Sequence, residues 1–129
     1  MTLVLDTHAL VWYFENSPRL SNRVRKLIQD RATPLVLPGM AAAEMIYLSK
    51  RGKIPLTLKE FRNLLSSTPN LTVYPIDMQV IDMMPSGLDI HDALIVATVI
   101  LLAKTRDEET ALATADMAII DSGLVKIFW

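Results

Sequence analysis

Asp6, Glu44, Asp92 and Asp116 are the residues of this chain whose types and placement best suit chemistry. They lie in the segments LVLDTHALVW, AAAEMIYL, LDIHDALIVATVILLA and ALATADMAII. Carboxylates that gather without a counter-charge repel one another, and the usual reason to gather them is to hold a hard divalent cation. Oxygen-only ligands point to Mg²⁺, with Mn²⁺ able to substitute. The chain has no cysteine and only two histidines, His8 and His91, so a thiolate zinc site is excluded and a histidine-based one is disfavoured. Taken singly, Asp6, Asp89 and Asp116 also suit helix N-caps, and Glu44 suits a solvent-facing helical position. Capping alone does not explain why all of them fall at one place in the fold.

That place follows from the order of elements. Leu3 to Leu5 reads as a short buried strand, followed by an apolar helix through Trp12 and Phe14. Ser21 caps a helix that repeats apolar residues at Val24, Leu27 and Ile28. Leu35 to Leu37 is a second strand, Met40 to Lys50 a helix stopped at Gly52, and Thr57 caps the next helix. Leu71 to Tyr74 is a third strand, and Asp77 caps a short helix that ends near Pro85. Asp89 opens a long apolar helix, Ala111 to Ala113 is a fourth strand, Asp116 caps a further short helix, and Val125 to Phe128 is a fifth strand. Strands separated by helices need crossover connections, which predicts a three-layer α/β/α fold around a mostly parallel five-stranded sheet. Parallel sheets bind ligands outside the carboxyl ends of their strands, at the point where the winding reverses. Asp6 and Asp116 follow strands one and four, so adjacency of those strands would set the two acids side by side. Asp92 and Glu44 would reach the same crevice from their helices.

Length and composition fit one domain over residues 1–129, since 51% hydrophobic residues suffice for a core of ordinary size. The most apolar stretch, Ala93 to Ala103, is shorter than the ~20 residues that span a bilayer, which predicts a buried helix and no membrane association. The lack of cysteine and of a secretory pattern at the start predicts a cytoplasmic protein. Net charge is −1, but residues 1–62 hold ten Lys/Arg against five Asp/Glu while residues 63–129 hold three against nine. A polyanion guided by the first half and held through metal by the second fits this division. Arg19, Arg23, Arg25, Lys26 and Arg31 also suit a plain solvated helix face.

With these segments in place, the chain resembles a PIN domain, and within that group the VapC-type toxins of type II toxin–antitoxin pairs. LVLDTHALVWYF, EMIYLSKRGKIPL, DIHDALIVATVI and LATADMAIID carry the resemblance nearly end to end, with the acids in the family's order. It implies a metal-dependent endoribonuclease that hydrolyses RNA phosphodiester bonds, with Asp6, Glu44, Asp92 and Asp116 as catalytic and metal-binding residues. Thr114 matches a polar residue supporting the site, and Thr7 and Asp89 read as supporting or structural. The resemblance also implies a VapB-type antitoxin as partner and a homodimer, for which Trp12, Tyr13, Met40 and Tyr47 are apolar contributors. Two departures stand out: the third acid is commonly followed by Arg, where this chain has Ala93, and RDEET (residues 106–110) replaces a loop that is often shorter and contains glycine.

Two other classes of function compete with this one. A non-catalytic PIN-like domain would bind RNA or protein without cutting. An aspartyl-phosphate transfer domain also places Asp after strand one, but the Asp-x-Asp of one such family is Asp6-Thr7-His8 here, and the acid pair and later lysine of a receiver domain are absent.

Overall fold

A computed structural model describes residues 1–129. Four strands form one sheet: β1 (Thr2–Leu5), β2 (Leu35–Pro38), β3 (Leu71–Tyr74) and β4 (Thr110–Ala113). Their order is β3-β2-β1-β4, and every pair is parallel. The helices are α1 (Thr7–Phe14), α2 (Asn22–Gln29), α3 (Gly39–Lys50), α4 (Leu58–Ser67), α5 (Met78–Asp82), α6 (Ile90–Thr105) and α7 (Met117–Ser122). Every residue of β1, β2 and β4 is buried. Successive side chains of a strand point to opposite faces, so both faces of this sheet are covered, as the sequence predicts for a three-layer α/β/α fold.

The core shows why these segments fold as they do. Leu3, Val4, Leu5, Leu35, Val36, Leu37 and Leu112 are at most 1% exposed and join residues of α1, α2, α3, α4, α6 and α7 in one cluster. Helix α6 is the central one, with every residue from Ala93 to Val99 buried, and it packs against β2, β4, α3 and α5. Val80, Leu94, Ala97 and Leu101 form a smaller cluster beneath Met83 and Met84, whereas Met78 is exposed. Several helix starts predicted from sequence are capped as expected. Ser21 accepts from the Val24 N–H, Thr57 and Glu60 form a reciprocal capping box, and Asp77 accepts from the Val80 N–H.

The fifth strand is a correction. Val125 to Phe128 makes only an isolated parallel bridge, Leu112 to Ile127, beside β4. In a parallel strand the backbone groups of alternate residues point to opposite sides. Glu109 and Ala113 direct their carbonyls to β1, so Leu112 turns outward. It donates to the Lys126 carbonyl and accepts from the Phe128 N–H. Leu112 is the one β4 residue that exchanges backbone hydrogen bonds with this segment, so a single bridge forms and no ladder.

Arg106 to Thr110 lies at the opposite end of the sheet from the acids. Thr2 pairs with Thr110, the Arg106 guanidinium donates to the Thr2 hydroxyl, and that hydroxyl donates to Glu108. This charged loop therefore secures the start of β1. No helix is long and apolar enough to cross a membrane.

Candidate active site

The sheet order makes β1 and β4 neighbours, which is the arrangement that brings the first and fourth acids together. Leu5 pairs with Ala113, so the next residues along, Asp6 and Thr114, face each other just beyond the carboxyl ends of the strands. The Thr114 hydroxyl donates to Oδ2 of Asp6 and accepts the Asp116 N–H at 3.0 Å. Asp6 Oδ1 accepts the Ala9 N–H at 2.7 Å and so caps α1. Asp116 caps α7 through Oδ1, which accepts from Ala118 and Ile119. Asp89 caps α6 by accepting the Asp92 N–H, which leaves Asp92 in the first turn with no capping duty. Glu44 comes from α3, whose start is fixed by Gly39: a Cβ there would stand 3.0 Å from the Tyr74 carbonyl oxygen and 3.3 Å from Ile76.

These residues surround one cavity of about 170 Å³, lined by Asp6, Thr7, Glu44, Asp89, Asp92 and Asp116 together with both histidines. Ile95 and Ile119 complete its wall. All four acids predicted from sequence are therefore brought together, and no Lys or Arg lines the cavity with them. Asp89, read from sequence as supporting, reaches the cavity as a fifth carboxylate. His8 and His91 lie on its rim; the sequence treats them as helix-start residues, and nothing in their spacing marks them otherwise. Thr7 is buried, and its hydroxyl has no hydrogen-bond partner although the residue lines the cavity. Thr114 is fully buried, bonds to Asp6 and does not line the cavity. Ala93 is buried in α6 and away from the cavity, so this departure from the family's common Arg falls on an interior position.

The electrostatics follow from this crowding. Burial pushes the Asp6 carboxyl above the ordinary carboxylate range and the charge of Asp116 adds to the rise, while the Thr114 hydroxyl, the Ala9 N–H and His8 oppose it. Asp92 is pushed up to about 6, first by burial and then by the charges of Asp116, Asp89, Glu44 and Asp6. The acids are thus one electrostatic group. By chemistry the donor set fits a hard divalent cation, with carboxylate oxygens on several sides and no built-in cation to compete. No three acidic or histidine side chains converge closely enough to grip an ion as they stand, as expected of carboxylates that repel one another.

The family model for the PIN domain matches residues 3–121. No curated protein sequence matches the chain. Eight chains of solved structures do. One is the crystal structure of FitAcB from Neisseria gonorrhoeae, similar over 98% of this chain and 96% of that one, with a TM-score of 0.65 and 18% identity. That likeness is one of fold.

Proposed function

Because this chain belongs to the PIN domain family, we propose that it is a Mg²⁺-dependent endoribonuclease, with Mn²⁺ able to substitute, and the toxin of a type II toxin–antitoxin pair. The observation that carries this reading is the lining of the cavity at the β1–β4 switch point: five carboxylates and no Lys or Arg. Asp6, Asp92 and Asp116 would hold the ion. Glu44 orients the attacking water or completes a second metal position, and Asp89, Thr7 and Thr114 support them. The chemistry such an ion would supply is polarisation of the scissile phosphate and a lowered pKa for bound water. The chain's own residues fix where this happens. Thr114 locks the Asp6 carboxylate, and α6 and α3 present Asp92 and Glu44 from other sides of the cavity. Hydrolysis joins the water oxygen to phosphorus as the bond to the leaving ribose oxygen breaks. One proton leaves the water for solvent and the leaving oxygen gains one; no side chain is assigned as general base.

The expected partners are an RNA substrate and a VapB-type antitoxin, in the cytoplasm, with the toxin a homodimer. An apolar hollow of about 600 Å³ lined by Met40, Ala43, Tyr47 and Leu48 beside Glu44 supports an apolar contact on that flank. Tyr47 is 59% exposed there, while Trp12, Tyr13 and Met40 lie partly buried against the core. A second reading, a PIN-like domain that binds RNA or protein without cutting it, draws support from the open spacing of the acids.

Cleavage of a mixed RNA pool by the purified chain, with chelator, Mg²⁺ or Mn²⁺, separates the two. Metal-dependent cleavage that disappears in Asp6→Asn is the expected result, and intact RNA at saturating Mn²⁺ would sink the nuclease reading. Expression of the chain alone is expected to arrest growth, and Asp6→Asn is expected to relieve the arrest. Normal growth with soluble wild-type protein argues against a toxin.

A further inference from the structure

On the α1 side of the acids a second cavity, of about 210 Å³, shares Asp6, His8 and Asp116 with the first and adds Trp12, Arg19 and Ala115. Trp12 is one turn after His8 on α1, and their rings lie 5.7 Å apart. The Arg19 guanidinium sits 5.9 Å from the Trp12 ring centre, and Trp129 meets the same ring edge-on at 5.9 Å. Arg23 stands 4.6 Å over the Phe128 ring and donates to the Trp129 carbonyl, so a cationic lip continues outward from the shelf.

The shelf is held in place before any ligand arrives. Between α1 and α2, Ser17 donates its N–H to the Trp12 carbonyl, and the Arg25 guanidinium donates to the Ser17 carbonyl at 2.8 Å and to Asn16 Oδ1 at 3.1 Å. Asn16 takes a left-handed φ of 54°, and the Arg19 N–H donates to the Ser17 hydroxyl oxygen. Leu20, next along, is buried. Arg19 therefore hangs from an anchored turn, with its own side chain exposed.

Aromatic faces backed by arginine bind unpaired nucleobases, which stack on them whatever their sequence, while the positive charge tracks the phosphates. The flank beyond Glu44 also carries an aromatic–arginine pair, with Arg51 5.4 Å from the Tyr47 ring centre, but Arg51 does not line the mainly apolar hollow there, whereas Arg19 lines the same cavity as Asp6 and Asp116. Resting on the ribonuclease reading above, we propose that the Trp12–Arg19 shelf is a base-stacking subsite that takes the unpaired nucleotide next to the scissile phosphate, with Arg23 over the following phosphate. It makes single-stranded segments preferred substrates because a paired base cannot turn onto the shelf.

The test combines cleavage and binding. With a short single-stranded oligoribonucleotide in Mn²⁺, Arg19→Ala and Trp12→Ala are expected to lower kcat/KM by roughly five- to a hundredfold, the range for losing one base–aromatic stack. The loss falls on KM, because stacking away from the reacting atoms is alike in ground and transition states. Arg19→Lys recovers little, since Lys keeps the charge without the planar guanidinium. An abasic nucleotide beside the scissile bond costs wild type a similar factor, and Trp12→Ala adds nothing further to that loss. Trp12 also packs on the core, so exposed Arg19 guards against a folding defect. Binding is read independently in Trp129→Phe with Ca²⁺, where the oligonucleotide quenches Trp12 fluorescence and an oligonucleotide abasic at that position does not. Cleavage with full activity in Arg19→Ala and no quenching overturns the shelf and leaves the nuclease standing. Base-dependent quenching without any cleavage overturns the nuclease and leaves the shelf. Loss that Arg19→Lys restores fully reduces the site to general charge and overturns the stacking proposal.

Discussion

Thr114 and Asp6 stand 108 residues apart in the chain and meet across the β1–β4 joint, where the Thr114 hydroxyl donates to Asp6 Oδ2 and accepts the Asp116 N–H. One hydroxyl thus links the two acids that follow β1 and β4. The link is a consequence of register, since Leu5 pairs with Ala113 and the next residue on each strand completes the contact.

Thr114→Val keeps the shape and removes both hydrogen bonds. It leaves a buried carboxylate and a backbone N–H short of partners, which is expected to cost about 1–3 kcal/mol of stability in urea unfolding. Asp6 also loses a group that holds its carboxyl down, so the acid limb of the metal-dependent cleavage profile moves to higher pH. Thr114→Ser retains the hydroxyl and keeps both properties near wild type. Equal behaviour of Val and Ser would remove Thr114 from the site.

Asp6→Asn is expected to abolish cleavage while the fold survives. The Asn oxygen can still accept the Ala9 N–H, and its amide can donate to Thr114 Oγ1, so the α1 cap persists while a carboxylate of the proposed metal site is lost. Far-ultraviolet circular dichroism and cleavage in Mn²⁺ check this together. An unfolded variant, or one that cuts at the wild-type rate, contradicts the assignment.

Gly39→Ala tests how α3 carries Glu44 to the cavity. The added methyl group meets the Tyr74 backbone carbonyl at 3.0 Å and the Ile76 side chain, and backbone gives way only by moving α3 or the end of β3. Overpacking of this kind costs about 1–3 kcal/mol. The Mn²⁺-dependent rate is expected to fall as well, because Glu44 lies five residues along the displaced helix. Wild-type stability and rate in Gly39→Ala would show that the junction yields freely.

Most of this arrangement is legible in the sequence because it depends on local signals. Ser21, Thr57, Asp77, Asp89 and Asp116 each precede helical spacing and each caps the expected helix. The strands are short apolar runs, and the one misread, Val125 to Phe128, has the composition of a strand but bonds to β4 through Leu112 alone. Asp6, Asp92 and Asp116 are visible because each stands at a strand end or in a helix's first turn, whereas Glu44 stands in the middle of α3 and is marked by its place in the apolar run AAAEMIYL and by the family resemblance. His8, His91 and the Trp12–Arg19 shelf are not, since their proximity arises from the β1–β4 pairing and the turn before α2. Asp6, Asp89 and Asp116 do cap their helices, and capping does not keep them from the cavity, which all three line. For Asp116, Oδ2 accepts no hydrogen bond.

Metal-free protein should show the cost of this crowding, and Asp92 is the cleanest probe because it caps nothing. Asp92→Asn is expected to raise the stability of chelated protein at neutral pH by about 0.5–1 kcal/mol, the lower part of the range for stabilising surface-charge changes. Asp116→Asn gains less, since it weakens a cap that takes two N–H groups. Added Mn²⁺ raises the melting temperature of wild type more than that of either variant, with about 2.7 kcal/mol expected at a hundredfold excess over Kd.

The same crowding gives metal-free stability a pH dependence opposite to that of a protein held by ion pairs. The Asp92 carboxyl titrates near 6 in the fold and near 3.8 when unfolded, and Asp6 is raised in the same direction. Between those values the unfolded chain has released protons that the folded chain still holds, so raising the pH favours unfolding. Stability from these groups is full below about 3.8 and is lost as pH climbs through about 6. In chelator, wild type should therefore melt at a higher temperature at pH 5 than at pH 7, and Asp92→Asn should narrow the difference. With Mn²⁺ the order reverses, because ligation needs ionised carboxylates and weakens as they protonate. Melts at both pH values, with and without Mn²⁺, decide the matter. A wild type that loses stability in chelator on going from pH 7 to pH 5, to the same extent as Asp92→Asn, would mean that the acids act only as independent caps and that no shared charge cluster exists.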